Sequence, residues 1–200
     1  MYIKRESEEV LKKMLNSFKV VLVTGPRQVG KTTLIKHVLK DAYSYVTLDD
    51  INELQVAKSD PGLFFLNNPG KLIIDEVQNA PELFKEIKRI ADKSNDPGQF
   101  ILTGFQTFSL MDNVSESLAG RVGILELNGL SLREINKEPI HIPFIPNAEF
   151  LSLNRKKMSN NELWNVIHRG SMPELYRNPN MDKELFYSSY VKTYIERDVR

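Results

Sequence analysis

The sequence predicts an α/β fold, a parallel sheet with helices on both faces followed by a smaller helical part. Two observations carry this. Short apolar runs rich in β-branched residues alternate with stretches of helical period from Lys19 to about Leu130. A glycine-rich turn bearing a lysine, "GPRQVGKT" (residues 25–32), joins the first run to the helix after it. With 200 residues, 41% of them hydrophobic, the chain can bury one full core and begin a second.

The elements follow in order. Val10, Leu11, Met14, Leu15 and Phe18 recur at helical spacing, which predicts an amphipathic first helix. "KVVLV" (19–23) is a continuous apolar run, as a strand buried on both faces requires. After the glycine turn, Leu34, Ile35, Val38 and Leu39 form the inner face of a helix. "YSYVTL" (43–48) reads as a second strand closed by Asp49 and Asp50, which suit capping the next helix; Asp49 alternatively faces a ligand. Leu54, Val56 and Ala57 mark that short helix, and "SDPGLFFL" begins another with Pro61 in its first turn. "KLIID" (71–75) is a third strand. The helix after it sets Leu83, Phe84, Ile87, Ile90 and Ala91 on one face. "SNDPG" is a turn, "QFILTG" a fourth strand, "TFSLMDNVSESLAG" a helix and "VGILEL" a fifth strand.

The alternation then stops. "NKEPIHIPFIPNAEF" holds prolines and no period, so it reads as a loop or insertion. From Asn160 the pattern is helical, and Trp164 at helical spacing with Leu163 and Ile167 points to core. The last segment keeps its pattern to Arg200 without a stop signal, as either a truncated chain or a fraying helix would. The resulting organisation is an α/β core at 1–135, a loop or insertion at 136–159 and a helical region at 160–200.

The turn at 25–32 matches G-x-x-x-x-G-K-[ST], the P-loop or Walker A motif, in the strand-to-helix context its mechanism needs. Its glycines let successive backbone N–H groups point at phosphates, and the following helix adds its positive N-terminal end. Gly25, Pro26, Arg27, Gln28, Val29, Gly30, Lys31, Thr32 and Thr33 are therefore the expected nucleotide-binding residues. Lys31 is expected to reach the β- and γ-phosphates, and the Thr32 hydroxyl to ligate Mg2+. "LIIDEVQ" ends the third strand in two carboxylates at the same sheet edge as the P-loop. Asp75 is expected to hold Mg2+ through its water shell, and Glu76 to polarise an attacking water. At the end of the fourth strand, Thr103 or Gln106 senses the γ-phosphate or orients that water, or Thr103 merely satisfies backbone groups. Arg121, opening the fifth strand, either reaches a phosphate across a subunit interface or is an exposed strand-end arginine.

Composition narrows the classes. Lys and Arg total 27 against 26 Asp and Glu, so no global field favours nucleic acid or anionic lipid. No cysteine is present, which excludes disulfides and thiolate metal sites, and His37, His141 and His168 lack metal-ligand spacing. No run approaches the ~20 apolar residues of a membrane span, so a soluble, cytoplasmic protein is expected. "RKK" (155–157) is a solvated basic loop or a phosphate contact. "NKEP" (136–139) lacks the aspartate of a guanine-reading N-K-x-D.

"GPRQVGKTTL", "LDDINELQVAKSDPGLFF", "LIIDEVQNAPELF", "ILTGFQ", "SLAGRVGILELNGLSLREI" and "GSMPEL" together resemble the prokaryotic AAA+ ATPases that carry an uncharacterised C-terminal domain. The resemblance spans residues 2–200. It implies a core with strand order 5-1-4-3-2, ATP with Mg2+, hydrolysis coupled to conformational change, possible homo-oligomers, and a chain continuing past residue 200. Phe105 departs from the pattern, since relatives usually carry a small hydroxyl residue there. If that hydroxyl senses phosphate, turnover is slowed here and binding is not. The leading expectation is an ATP-hydrolysing switch whose protein or nucleic-acid client no motif specifies. The alternatives are a nucleotide-gated binding module with little turnover and a P-loop small-molecule kinase.

Overall fold

The computed structural model describes residues 2–105, 108–138, 148 and 158–195. The apolar runs become β1 (Val20–Thr24), β2 (Ser44–Thr47), β3 (Leu72–Asp75), β4 (Phe100–Thr103) and β5 (Val122–Glu126). They form one sheet in the order β2-β3-β4-β1-β5 with every pairing parallel, which is the 5-1-4-3-2 order read from the other edge. Pairing of Val20 with both Phe100 and Val122, and of Leu72 with Phe100, aligns the carboxyl ends of the strands along one edge. The three central strands β1, β3 and β4 are buried throughout, which is why their sequences are unbroken apolar runs. The edge strand β5 instead alternates, leaving Ile124 exposed.

Helix α1 (Ser7–Ser17) precedes the sheet, and α2 (Lys31–Leu39), α3 (Ile51–Ser59), α4 (Pro61–Asn67), α5 (Leu83–Lys93) and α6 (Phe108–Leu118) connect its strands. On one face Val20, Leu22, Leu72, Ile74, Phe100 and Leu102 pack with Ala57, Phe64, Phe65, Phe84, Ile87 and Leu110 from α3 to α6. Phe65 bridges helix and sheet, its ring edge-on to Phe64 at 5.2 Å and to Phe100 at 5.4 Å. On the other side α1 packs on β1 and β5 and against α2, burying Leu11 and Leu15; Val10, expected on its apolar face, is exposed. Of the two aspartates expected to cap α3, Asp50 does so. Asp50 accepts from the backbone of Asn52 at 2.8 Å, and Asp60 from Leu63 at 2.9 Å with Pro61 in the first turn of α4. Asp49 does not cap; its backbone N–H donates to Thr47 Oγ1 at 3.3 Å.

The chain divides into two units, residues 7–128 and residues 1–6 with 129–200. The first carries the sheet and all six helices above. The second contains α7 (Leu132–Asn136), α8 (Asn160–Arg169), α9 (Pro173–Arg177) and α10 (Lys183–Tyr190), with a π-helical turn Val191–Ile195. Within it Glu134 is buried and accepts from Arg5 Nε at 3.0 Å, the Glu6 backbone at 2.6 Å and the Ser131 backbone at 2.8 Å. This network ties the chain's first residues to α7. The expected core role of Trp164 is corrected: Leu163, Trp164 and Ile167 are 42%, 59% and 55% exposed. Helical spacing shows that α8 has an apolar face, but spacing cannot say that anything covers it. His141, "RKK" at 155–157, most of the expected insertion and the last five residues lie outside the described residues.

Candidate functional site

The P-loop leaves β1 at the carboxyl edge of the sheet. Gly25 has φ 138°, and a Cβ there would strike the Leu127 carbonyl just beyond β5, so only glycine lets the loop pass. Gln28 and Gly30 also adopt positive φ, at 62° and 93°, and α2 starts directly after Gly30. Lys31 is 9% exposed, and its Nζ donates to the carbonyls of Gly25 and Pro26 at 2.9 Å each, folding back across the loop. Burial holds its ammonium below the usual lysine pKa, opposed by the charges of Glu76 and Asp75, while Arg27 pushes further down. Two cations and two carboxylates therefore share one small volume.

Asp75, the last residue of β3, is 8% exposed and accepts from three hydroxyls. Thr32 Oγ1 donates to its Oδ2 at 3.1 Å, Tyr45 donates to the same oxygen at 2.6 Å, and Thr103 Oγ1 donates to Oδ1. The Thr32 hydrogen is committed to Asp75, so its oxygen lone pairs stay available to a cation. Among the described residues no three His, Cys, Asp or Glu side chains gather as a metal cage. A hydroxyl and a carboxylate beside a phosphate-binding loop fit Mg2+, which takes one or two protein oxygens and fills the rest with water and phosphate.

Glu76 breaks the strand with φ 57° and ψ 44°, a left-handed conformation unusual outside glycine. A single 3-10 turn, Val77–Asn79, follows, and from it Gln78 Nε2 donates to Glu76 Oε2.

The sequence profile described as the AAA domain matches residues 17–136. The chain belongs to this AAA domain family. An uncharacterised protein of Mycobacterium tuberculosis and another of Mycobacterium bovis are each 32% identical over 197 residues, covering 98% of this chain. The chain spans 40% of the length of these curated relatives. A Walker-type ATPase of Pyrococcus abyssi has the same fold, at 18% identity and a TM-score of 0.58, covering 100% of this chain and 77% of that one. The AAA fold supports ATP binding. No helix among the described residues is long and apolar enough to cross a membrane.

Within this AAA domain, Lys31, Thr32, Asp75 and Glu76 come together as expected. Thr103 joins them differently: it is fully buried and its hydroxyl is spent on Asp75, so it orients that carboxylate. Gln106, the other candidate beside it, lies outside the described residues. Arg121 lies at the opposite edge of the sheet, where its carbonyl accepts from Val20 at 3.2 Å at the start of β1. Five residues of strand, about 16 Å, separate it from its own P-loop. Its guanidinium grips Asp92 of α5 at 2.5 and 3.0 Å, which lowers the pKa of Asp92 and raises its own. Phe105 lies under the Arg27 guanidinium, 4.3 Å from ring centre to Cζ.

Sequence reasoning missed two residues. Tyr45 pairs with Ile73 in the β2–β3 register, and alternation puts both on the face of Asp75 two residues on. Its hydroxyl pKa is raised by burial and by its bond to Asp75, and its ring receives the Lys36 ammonium at 3.8 Å. Strand adjacency is the signal that finds it. Gln78 had no such signal, because its reach back to Glu76 depends on the left-handed backbone between them.

Proposed function

We propose that this AAA domain hydrolyses ATP with Mg2+ in the cytoplasm and uses the cycle to switch conformation. The observation that carries the reading is the Asp75 carboxylate, buried and bonded to the P-loop hydroxyl of Thr32, with a second carboxylate on the next residue. In this reading the backbone N–H groups of Gly25 and of Arg27 to Thr33, with the Lys31 ammonium, bind the phosphates. Thr32 and Asp75 would hold Mg2+, which when bound neutralises developing phosphate charge. Tyr45 and Thr103 fix the Asp75 rotamer. Glu76 accepts a hydrogen bond from a water and aligns it for in-line attack. A small-molecule kinase would have an acceptor substrate where Glu76 places a base.

The test is steady-state phosphate release against nucleotide affinity. Turnover should require Mg2+ and fall to background with a chelator, while a fluorescent ATP analogue still binds, more weakly. A second reading, ATP held with little turnover, is favoured by Phe105 in place of a hydroxyl and by Thr103 being committed to Asp75. Tight binding without phosphate release above background would select it.

Arg121 is too far from its own P-loop to act there, so a role on nucleotide would be in trans, on a second copy in a homo-oligomer after release from Asp92; the other reading is a strand-end arginine that simply pairs with Asp92. If it acts in trans, turnover per subunit should rise with protein concentration, and Arg121→Ala should abolish that rise while leaving nucleotide affinity within about twofold. Full activity of Arg121→Ala at every concentration removes the role.

A further inference from the structure

Gln78 and Gly104 belong to two different loops at the sheet edge, and the function described above uses neither. We propose that Gln78 is the positioning residue for Glu76, and that the Gly104–Phe105 segment, braced on Arg27 of the P-loop, holds Gln78 in place. The inference rests on the hydrolytic reading and names how its base is aimed.

Three observations converge on Gln78. Its Nε2 donates to Glu76 Oε2. Its Oε1 is buried and accepts no hydrogen bond in the described structure, a condition few buried acceptors tolerate. That same oxygen lies against Gly104 so closely that a Cβ at residue 104 would collide with it. The carboxamide is thus wedged between a carboxylate at one end and a bare Cα at the other. Exchanging its two ends would set oxygen against the Glu76 carboxylate, acceptor to acceptor, so only the observed orientation bonds.

Glu76 needs such a restraint. It sits past the end of β3, in a left-handed conformation, with a side chain of three rotatable bonds. A base that aligns water is effective only when held near one geometry. The segment that seats Gln78 also reaches the phosphate-binding loop, because the Phe105 ring carries the Arg27 guanidinium at 4.3 Å. Movement of Arg27 towards a bound phosphate would therefore be felt at Gly104, at Gln78 and at Glu76. This accounts for an aromatic residue at a position where a hydroxyl was expected.

Gly104 is outside the positive-φ region, so alanine there meets no backbone strain, and the collision is with a side-chain end that can be pushed aside. Gly104→Ala thus displaces the Gln78 carboxamide without deleting any functional group. Gln78→Met keeps volume and removes the donor. Each should lower kcat about tenfold, with fluorescent ATP-analogue affinity within twofold and unchanged melting. In a Glu76→Gln background neither should lower the residual rate further, because both act through Glu76. In nucleotide-free 15N-labelled protein, the Gln78 side-chain amide signal, assigned by its loss in Gln78→Met, should shift in Gly104→Ala and in Glu76→Gln. Wild-type kcat in Gln78→Met, equal fractional losses in both backgrounds, or an unshifted amide signal overturns the inference while hydrolysis stands. Absence of wild-type phosphate release overturns the hydrolytic reading and this inference with it.

Discussion

ATP at a hundredfold excess over its dissociation constant should raise the melting temperature of the wild-type protein by about 5–10 °C and that of Lys31→Ala by about 1 °C at most. The first figure follows from linkage: such an excess stabilises the native state by about 2.7 kcal/mol, and each kcal/mol is about 2–4 °C in a domain of this size. The second follows from what Lys31 does. Its Nζ donates to two P-loop carbonyls, at 2.9 Å each, and no other lysine of the motif lies inside the loop. In the proposed reading the ammonium turns from these carbonyls to the β- and γ-phosphates, and two charge-assisted bonds of about 1.5–3 kcal/mol each make its loss at least a hundredfold in affinity. Without nucleotide, the cost of burying the ammonium offsets what its two carbonyl bonds contribute. Burial lowers its pKa, so between that value and the ordinary one the unfolded chain binds more protons than the folded one. Stability from this group rises with pH through that window, and below it the charged lysine is a standing cost. Lys31→Ala should therefore melt near the wild-type temperature in the absence of ATP. Wild-type ATP affinity in the mutant would falsify the P-loop assignment.

Most of the nucleotide-binding architecture was legible because it rests on local chemistry. The P-loop is a contiguous string whose glycines answer to specific backbone demands, seen in the φ of Gly25 and its approach to Leu127. The parallel sheet followed from apolar runs too continuous for half-exposed strands. Contacts made by residues far apart in the chain were not legible. Tyr45 reaches Asp75 only through the β2–β3 pairing, and Thr103 only through β4 beside β3. Thr103 was read as facing a ligand or satisfying backbone groups, and neither reading offered the Asp75 carboxylate, because spacing within one strand does not show which side chain of the next strand a hydroxyl meets. Trp164 failed for a different reason: α8 is amphipathic as its sequence says, yet its apolar face is exposed among the described residues.

Glu76→Gln should leave ATP-analogue binding within about threefold of wild type and reduce phosphate release by about 10²–10⁴-fold, the range general-base catalysis contributes. The backbone explains why this residue is the base and its neighbour is not. In a continuing strand Asp75 and Glu76 would point to opposite faces. At Glu76 the chain turns left-handed and ends β3, and both carboxylates act on the Lys31 ammonium. Asp75 has its oxygens occupied by three hydroxyls and is nearly inaccessible, so it is suited to hold a cation's water shell and not to move a proton. Among the described residues Glu76 receives one side-chain bond, from Gln78, and keeps acceptor capacity on its other oxygen. Glutamine preserves size and an acceptor oxygen but has no negative charge to polarise water. A loss confined to kcat would therefore mark the charge as the active element. Phosphate release at the wild-type rate in Glu76→Gln would mean that water is activated by another group, and the left-handed turn at residue 76 would be left with no catalytic purpose.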